Sequence, residues 1–238
     1  LGMGFTFDDA AAAKGTASSL AEMERLISAD PRNAERIKPY LGGEEVNNHP
    51  RHMHHRYVID FEDFPLRRDT LLKSWLLNEG SDACEKRRRD WLRTGVVPDD
   101  YPKPVAADWP QLLEIVETRV RPERNKQNDK GGKEIWWRFL RSRPELALAI
   151  EGMERILAVV LYGPHMTFVM LPSNQIFTNK IAPIALQSQT DFGIFQCRVH
   201  EVWARTFSAT LKDDLAYSLS DSFENFPLPL DEKRNSAL

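Results

Sequence analysis

The chain has 238 residues, of which 42% are hydrophobic and 28% are charged. This composition is typical of a folded globular protein and excludes wholesale disorder. The longest apolar run, residues 156–162, is too short to span a bilayer, and no secretory signal is recognisable. Cys84 and Cys197 are isolated thiols without metal-binding spacing, which favours a reducing compartment. We therefore expect a cytoplasmic protein with no membrane partner.

The net charge of −3 conceals an uneven distribution of cations. Residues 119–143 contain nine Lys/Arg against three Asp/Glu, and residues 85–93 contain five against two. Local basic patches govern contact with phosphates more than the total charge does. The charge pattern therefore permits nucleic-acid binding without establishing it.

The N-terminal part is predicted to be mainly helical. A helix starting at Ser18 or Ser19 and ending at Asp30-Pro31 is indicated by apolar residues at helical spacing, namely Leu20, Met23, Leu26 and Ile27. A shorter helix follows over 33–37, and the alternating RYVIDF at 56–61 predicts a strand. Residues 66–94 are also predicted to be helical, with an apolar stripe formed by Leu71, Leu72, Trp75 and Leu76.

The middle of the chain combines a connector, a helix and a loop. The proline-rich segment 96–110 is predicted to be a connector. A helix is expected to begin at the end of this segment, with Asp108 as its cap, Pro110 in its first turn and an apolar face. That face consists of Leu112, Leu113, Ile115, Val116 and Val120. Residues 121–134 are predicted to be a polar, basic loop.

From residue 135 onward the pattern is typical of strands. Strands are predicted over 135–140, 156–162, 166–171 and 175–186. The segment 192–211 is predicted to be one long helix, with apolar positions at Phe195, Val199, Val202 and Trp203. Helices and strands do not alternate regularly, so the expected class is α+β. It would comprise a mixed helical N-terminal part and a strand-rich part that a C-terminal helix closes.

Several sequence blocks, in their order and spacing, resemble a known family. They are GMGFTF at 2–7, IKPYLGGEEVN at 37–47, RYVIDF at 56–61, DWPQLLEIVETRVRPER at 108–124, HEVWARTFSATL at 200–211 and FENFPLP at 223–229. Together they resemble the target-recognition region of adenine-type, S-adenosylmethionine-dependent DNA methyltransferases, and in particular the MmeI-like (type IIL) restriction–modification family. The sequence contains no Asn-Pro-Pro-aromatic tetrapeptide and no Gly-rich strand-to-helix turn. The catalytic machinery is therefore expected outside it.

The resemblance implies that residues 1–238 form one DNA target-recognition module of a larger methyltransferase. Its sub-regions would be 1–65, 66–134 and 135–238, the last being the strand-rich reader. The start at Leu1 also suggests a piece of a longer protein. The parent would transfer a methyl group from S-adenosylmethionine to adenine N6. The segment itself would hold no cofactor, metal or catalytic residue. Its partners would be double-stranded DNA and the methyltransferase catalytic domain of the same chain.

The candidate DNA-binding residues fall into two groups. Cations at 121–138 suit phosphate contact, because their capture releases counterions; they are Arg121, Arg124, Lys126, Lys130, Lys133 and Arg138. Side chains at tight turns suit hydrogen bonding to base edges; they are Tyr162, His165, Thr167 and Asn174. In the family, the turn at 162–167 would be the one that touches bases.

Two other classes of function remain open. His49, His52, His54 and His55 could form the metal site of a metal-dependent enzyme, although a loop is a poor place to fix ligand geometry. Alternatively, the chain is a structural spacer that docks the catalytic domain, in which case the part at 135–185 should expose no basic or amide cluster.

Three further features have mainly structural interpretations. In a strand, Trp136-Trp137 would point one ring inward and the other outward, so at least one belongs to the core. His200 and Glu201 are adjacent on a helix and do not face each other, which argues against an acid–base pair. Phe226, Pro227 and Pro229 are expected to anchor the end of the module.

Overall fold

The computed structural model describes residues 4–76, 81–140, 143–211 and 214–228. In these residues the helices are α1 (Asp9–Ala12), α2 (Leu20–Ala29), α3 (Asn33–Arg36), α4 (Gly43–Asn48), α5 (Ser81–Thr94), α6 (Pro110–Lys126), α7 (Lys130–Glu134), α8 (Pro144–Ala149), α9 (Gln189–Gln196) and α10 (Arg198–Phe207). The strands are β1 (Thr6–Phe7), β2 (Ile37–Leu41), β3 (Arg56–Ile59), β4 (Arg67–Asp69), β5 (Val96–Pro98), β6 (Arg155–Val160), β7 (Tyr162–Gly163), β8 (Phe168–Pro172), β9 (Ile176–Phe177), β10 (Ile181–Ile184), β11 (Ala209–Leu211) and β12 (Asp214–Ala216). The predicted α+β class is confirmed. Within the described ranges, none of the helices combines the length and the apolar character that crossing a membrane requires.

The chain divides into two compact units, each built from two segments. Unit 1 comprises Leu1–Pro39 and His55–Arg143, and unit 2 comprises Tyr40–His54 and Pro144–Leu238. These boundaries do not follow the predicted sub-regions 1–65, 66–134 and 135–238. That the two units act as a single module stays a prediction.

The first elements of unit 1 confirm the sequence interpretation. The Ser19 side chain accepts a hydrogen bond from the Glu22 amide at 3.1 Å and caps α2, which ends before Asp30. The shorter helix α3 and the strand β3 also form where they were predicted. Strand β3 pairs antiparallel with β1, so this strand pair joins the start of the chain to residues beyond 55.

Among the described residues of 66–94, those at 81–94 are helical and those at 66–76 are not. Helix α5 is confirmed, but residues 67–69 form β4, which pairs parallel with β5 inside the predicted connector. The predicted apolar stripe is not a buried face, since Leu71 is 92% exposed and Leu76 is 73% exposed. In addition, the Asp100 carboxylate binds the backbone of this segment, since its Oδ1 accepts a hydrogen bond from the Trp75 amide at 2.7 Å. The helical prediction for residues 66–76 was therefore wrong.

Helix α6 forms as predicted but has a different cap. Leu112, Val116 and Val120 are buried along its inner face. The Asp108 carboxylate lies in a 3-10 turn, where it accepts from the Val105 amide at 3.0 Å and from Arg68 at 2.7 Å. It caps that turn instead of α6, whose N-cap residue is Trp109.

The predicted basic loop at 121–134 is largely helical. Helix α6 continues through Pro122 to Lys126, and α7 follows at 130–134. Val120 and Arg124, four residues apart, extend the buried stripe of α6. We attribute the continuation of the helix past the proline to this burial, which offsets the lost backbone hydrogen bond.

The strand predicted over 135–140 is also absent, since this segment is a series of turns. Trp136 is 7% exposed and Trp137 is 1% exposed, with their rings edge to face at a centroid distance of 6.1 Å. The prediction that at least one belongs to the core is confirmed, but the alternation between inside and outside was wrong because no strand forms.

Unit 2 is built on an antiparallel sheet with the order β10-β6-β8. In the central strand β6, Leu157 and Val159 belong to one core cluster, whereas Ala158 and Val160 belong to another. Both faces of β6 are thus covered, which explains why its sequence is continuously apolar. The strands predicted at 156–162 and 166–171 are confirmed, whereas 175–186 forms two short strands, β9 and β10, with a turn at residues 179–180 between them.

The predicted long helix at 192–211 is two helices followed by a strand. The backbone is extended at Cys197, between α9 and α10, with φ −73° and ψ 159°. The break changes which residues face inward: His200 is 0% exposed, whereas Val199 is 71% exposed and Val202 is 54% exposed. Strand β11 then pairs with β12, which pairs with β7. A helix pair and a hairpin therefore close this part of the chain, instead of a single helix.

Candidate nucleic-acid interface

Three lysines of unit 1 project from the surface near the end of α6 and along α7. Lys126, Lys130 and Lys133 are all exposed. Lys126 Nζ lies 2.7 Å from Glu123 Oε1 on the neighbouring helical turn, and its side chain remains 71% exposed. Among the ion pairs of the described residues, none involves Lys130 or Lys133. These ammonium groups are accessible to an anionic ligand.

The predicted arginines Arg121 and Arg138 both contact other residues of unit 1. Arg121 Nη1 lies 2.5 Å from Glu117 Oε1, and its guanidinium lies 5.2 Å from the centroid of the Trp136 ring. Arg138 donates to the Asp63 carbonyl oxygen at 2.9 Å and covers the Trp137 ring, with a side chain only 16% exposed. The hydrogen bond of Arg138 therefore connects the turns after α7 to Asp63, which is a structural role.

Arg124 is buried, and its guanidinium faces the interior of unit 1. Arg124 Nη1 donates to the Ile135 carbonyl oxygen at 2.8 Å, and the group lies 5.6 Å from the Phe5 ring centroid. Burial lowers the pKa of Arg124. This side chain joins α6, the residues after α7 and the N-terminal segment, so its position suits a structural role.

In unit 2, the predicted turn at 162–167 projects from the end of the sheet. Tyr162 is 51% exposed, and Pro164 and His165 are also exposed. Met166 is buried in the core cluster that contains Phe168. The turn thus has an anchored side and an exposed side, and His165 lies on the exposed side.

Side chains from α9 and α10 hold the backbone of this turn. Gln196 Oε1 accepts from the Phe168 amide at 2.8 Å, and Gln196 Nε2 donates to the Met166 carbonyl oxygen at 3.4 Å. Arg205 Nη2 donates to the Pro164 carbonyl oxygen at 3.3 Å. The position of the turn is therefore set by groups outside it, which leaves the side chain of His165 available to a ligand.

The remaining predicted turn residues occupy different environments. Thr167 is half-buried, and its hydroxyl lies 3.5 Å from the His165 carbonyl oxygen, at the limit of hydrogen bonding. Asn174 is exposed in the bend between β8 and β9. Next to it, the Ser173 hydroxyl donates to the Met153 carbonyl oxygen and fixes the bend. Asn174 can thus present its amide to a ligand.

His200 and Glu201 point in different directions. The His200 ring contacts the Phe195 carbonyl oxygen at 2.7 Å and the Tyr217 hydroxyl at 3.1 Å, and burial lowers its pKa. Glu201 pairs with Arg205 at 3.0 Å and with Arg198 at 3.1 Å, and the hydrogen bond from Arg205 lowers the pKa of its carboxyl. As expected from their adjacent helical positions, they form no acid–base pair.

The histidines at 49–55 do not converge on one point. His49 Nδ1 accepts from the amides of Arg51 and Met53, at 3.2 Å and 3.3 Å, and His52 Nδ1 contacts the Val46 carbonyl oxygen at 2.7 Å. In the portion of the chain that the structure describes, no group of three or more His, Cys, Asp or Glu side chains is placed to hold a metal ion. The geometry gives the metal-enzyme alternative no support.

Gln196 and Arg205 were not identified from the sequence as parts of this site. Both lie in the segment predicted as a single helix, where polar residues are expected to face solvent. The chain breaks at Cys197, and α9 and α10 place Gln196 and Arg205 at the turn. By contrast, the predicted anchoring role of Phe226 agrees with its burial against Trp203 and His200. Pro229 lies outside the described residues.

Residues 162–230 match the family model described as "MmeI, target recognition domain". The matched segment begins at the exposed turn and includes α9, α10 and β12. The resemblance to the MmeI-like family predicted from the sequence is thereby confirmed.

The chain is also similar in fold to a solved structure of the type IIL restriction–modification enzyme MmeI in complex with DNA. The similarity has a TM-score of 0.56 at 16% sequence identity. It covers 98% of this chain but only 24% of that chain. At this identity the likeness concerns the fold alone, and the chain spans about a quarter of the solved protein. No curated protein matches the chain significantly.

Proposed function

We propose that this chain recognises a specific sequence in double-stranded DNA on behalf of an N6-adenine methyltransferase that uses S-adenosylmethionine. The parent would act in restriction–modification in the cytoplasm, with its catalytic domain in the same polypeptide but outside this chain. The present residues would bind no cofactor. They would hold the duplex in register while the target adenine is flipped into the catalytic pocket.

One observation carries the proposal: the exposed turn at 162–167 begins the segment that matches the MmeI target recognition domain. Gln196 and Arg205 fix its backbone, while Tyr162 and His165 are accessible. Base reading requires donors and acceptors that are held in position, because discrimination depends on hydrogen-bond geometry. Such a turn suits this task better than a free loop does.

The exposed lysines of unit 1 suit a second task, which is contact with phosphates. Lys126, Lys130 and Lys133 lack the packing that would give them another role. Ammonium groups of this kind position a protein on the duplex without reading its sequence. Arg124 is excluded from this task by its burial, and Arg121 could take part only after leaving Glu117.

The alternative of a structural spacer receives less support from the surface of unit 2. A spacer should expose no basic or amide cluster in this part of the chain. Asn179 and Lys180 are both exposed at the turn between β9 and β10, and Asn174 is exposed one turn earlier. This part of the chain therefore exposes one basic and two amide side chains. Such groups suit contact with DNA better than they suit docking of a catalytic domain.

Duplex binding is tested by the salt dependence of affinity. Changing Lys126, Lys130 and Lys133 together to Gln should lower the slope of log affinity against log salt by about 2.7, at about 0.9 per phosphate contact. A control variant with Lys14, Arg25 and Lys103 changed to Gln removes the same charge from other exposed positions. Equal slopes for the two variants would show that the lysines at 126–133 are ordinary surface residues.

Sequence reading is tested in the full-length enzyme. His165→Ala and Thr167→Ala should relax or shift the methylated motif, because a good base contact contributes about 1–3 kcal/mol of discrimination. Sequencing of the modified DNA measures the motif, with Lys14→Ala as a control at an exposed position elsewhere in the chain. A motif that stays parental in both variants while Asn174→Ala changes it would place the reading edge at residue 174.

A further inference from the structure

Helix α5 of unit 1 carries a second group of cations, which the site described above does not use. With 100° per residue, Lys86, Arg89 and Arg93 fall within about 60° of one another around the helix axis. All three are exposed. Asp82 shares this face, one turn closer to the N-terminus. Asp90 borders the face, about 40° from Lys86, so its middle and end carry three cations beside one carboxylate.

The opposite face of α5 fixes how the helix lies on unit 1. Cys84 is buried, and Trp91 packs against the cluster of Val97, Tyr101 and Val105. Arg88 donates to the Trp75 carbonyl oxygen at 2.8 Å and covers its ring at 5.3 Å. Because this face is anchored, the cationic face has a defined direction towards solvent.

The interactions of the cationic face within the protein are weak. Arg93 lies 3.6 Å from Asp90 with a side chain that is still 66% exposed. Arg89 Nε contacts the backbone of its own helix, at 3.4 Å from the Glu85 carbonyl oxygen. Exposed pairs of this kind contribute little stability, so folding gives no strong reason for three cations in this arrangement.

The spacing of the cations matches a nucleic-acid backbone. From Lys86 to Arg93 the helix rises by about 10.5 Å at about 1.5 Å per residue. Phosphates of one DNA strand follow one another at about 3.4 Å along the duplex axis. The cations are thus spread over a length that exceeds one phosphate step, so that separate side chains can reach separate phosphates.

We propose that Lys86, Arg89 and Arg93 form a second phosphate-contacting surface for duplex DNA, in addition to the lysines at 126–133. This inference rests on the proposed function, which it extends by a surface in a different part of unit 1. The surface supplies affinity that does not depend on sequence, because ammonium and guanidinium groups on an exposed helix face meet phosphates and not base edges.

The test compares four forms of the protein on two duplexes, one with and one without the enzyme's methylated motif. The α5 variant carries Lys86→Gln, Arg89→Gln and Arg93→Gln, which preserves helix propensity. The variant at 126–133, the control variant at Lys14, Arg25 and Lys103, and the wild type complete the set. Circular dichroism establishes that each variant is folded. The α5 variant should lower the salt slope by about 2.7 on both duplexes, and leave their affinity ratio unchanged.

The possible failures are distinguishable. If the wild type binds DNA and the α5 variant has the slope of the control variant, this inference is overturned while the proposed function stands. If the α5 variant changes the affinity ratio between the two duplexes, the surface reads sequence and the inference is overturned in its present form. A wild type with no salt-dependent duplex binding overturns both the inference and the proposed function.

Discussion

The contact between Gly95 and Trp137 gives the sharpest prediction about the stability of unit 1. Gly95 follows α5 with φ +77°, in the left-handed region that favours glycine. A Cβ atom at this position would lie 2.5 Å from Trp137 Cζ2 and closer still to Cη2. The ring cannot easily retreat, because it is 1% exposed and its Nε1 donates to the Phe64 carbonyl oxygen at 2.9 Å.

Two costs add for Gly95→Ala. A left-handed conformation costs an L-residue about 1–2 kcal/mol, and overpacking a close-packed core costs about 1–3 kcal/mol. The free energy of unfolding should therefore fall by about 2–5 kcal/mol in total. Gly15 is the matched control in the same unit, since it has φ +74° and an added Cβ atom there would meet nothing within 4 Å. Gly15→Ala should cost only the backbone part, about 1–2 kcal/mol.

Urea unfolding followed by tryptophan fluorescence measures both variants. Combining Gly95→Ala with Trp137→Phe, which removes the two ring atoms in question, should cost at least about 1 kcal/mol less than the sum of the single changes. Equal losses for Gly15→Ala and Gly95→Ala, together with additivity in the double variant, would refute the proposed steric conflict.

Three further predictions concern side chains around the candidate site. Burial lowers the pKa of His200 below its ordinary value of 6.5, so the unfolded state binds the proton first as pH falls. The contribution of neutral His200 to the free energy of unfolding is therefore complete above about pH 6.5 and declines below it by up to about 1.4 kcal/mol per pH unit. Unfolding curves at several pH values should show this decline in the wild type and not in His200→Gln. Arg124→Gln should destabilise the protein by about 1–3 kcal/mol with an unchanged salt slope for DNA, whereas a lower slope would assign Arg124 to the interface. Gln196→Leu leaves the Phe168 amide without its partner, so it should broaden the methylated motif in the full-length enzyme; an unaltered motif would mean that Gln196 does not hold the turn.

The sequence predicts best those elements whose burial is visible in a short window. Strand β6 is continuously apolar because both of its faces are covered, and α2 has a recognisable cap and stop. The segment 66–76 was misassigned because Leu71 and Leu76 are apolar and yet exposed. Helical spacing of apolar residues does not show whether the rest of the protein offers a surface on which they can be buried.

The candidate site shows the same limit. Composition identified Lys126, Lys130 and Lys133 as accessible cations, but it treated Arg124 in the same way. The buried guanidinium of Arg124 lies against Phe5, which is remote in sequence and which no local pattern connects to it. Likewise, the inward direction of His200 follows from the break at Cys197, a residue without any typical helix-ending property.

Hydrogen bonds from α9 and α10 determine the backbone conformation of the turn at 162–167. This conformation therefore does not depend on which side chains the turn exposes. Backbone atoms of Pro164, Met166 and Phe168 are held by Arg205 and Gln196, whereas the His165 side chain is exposed. Substitutions at 165 should therefore leave the fold intact, while substitutions at Gln196 should disturb the backbone of the turn. A protein arranged in this way can acquire a new ligand preference by a single exposed substitution, without a compensating change in its core.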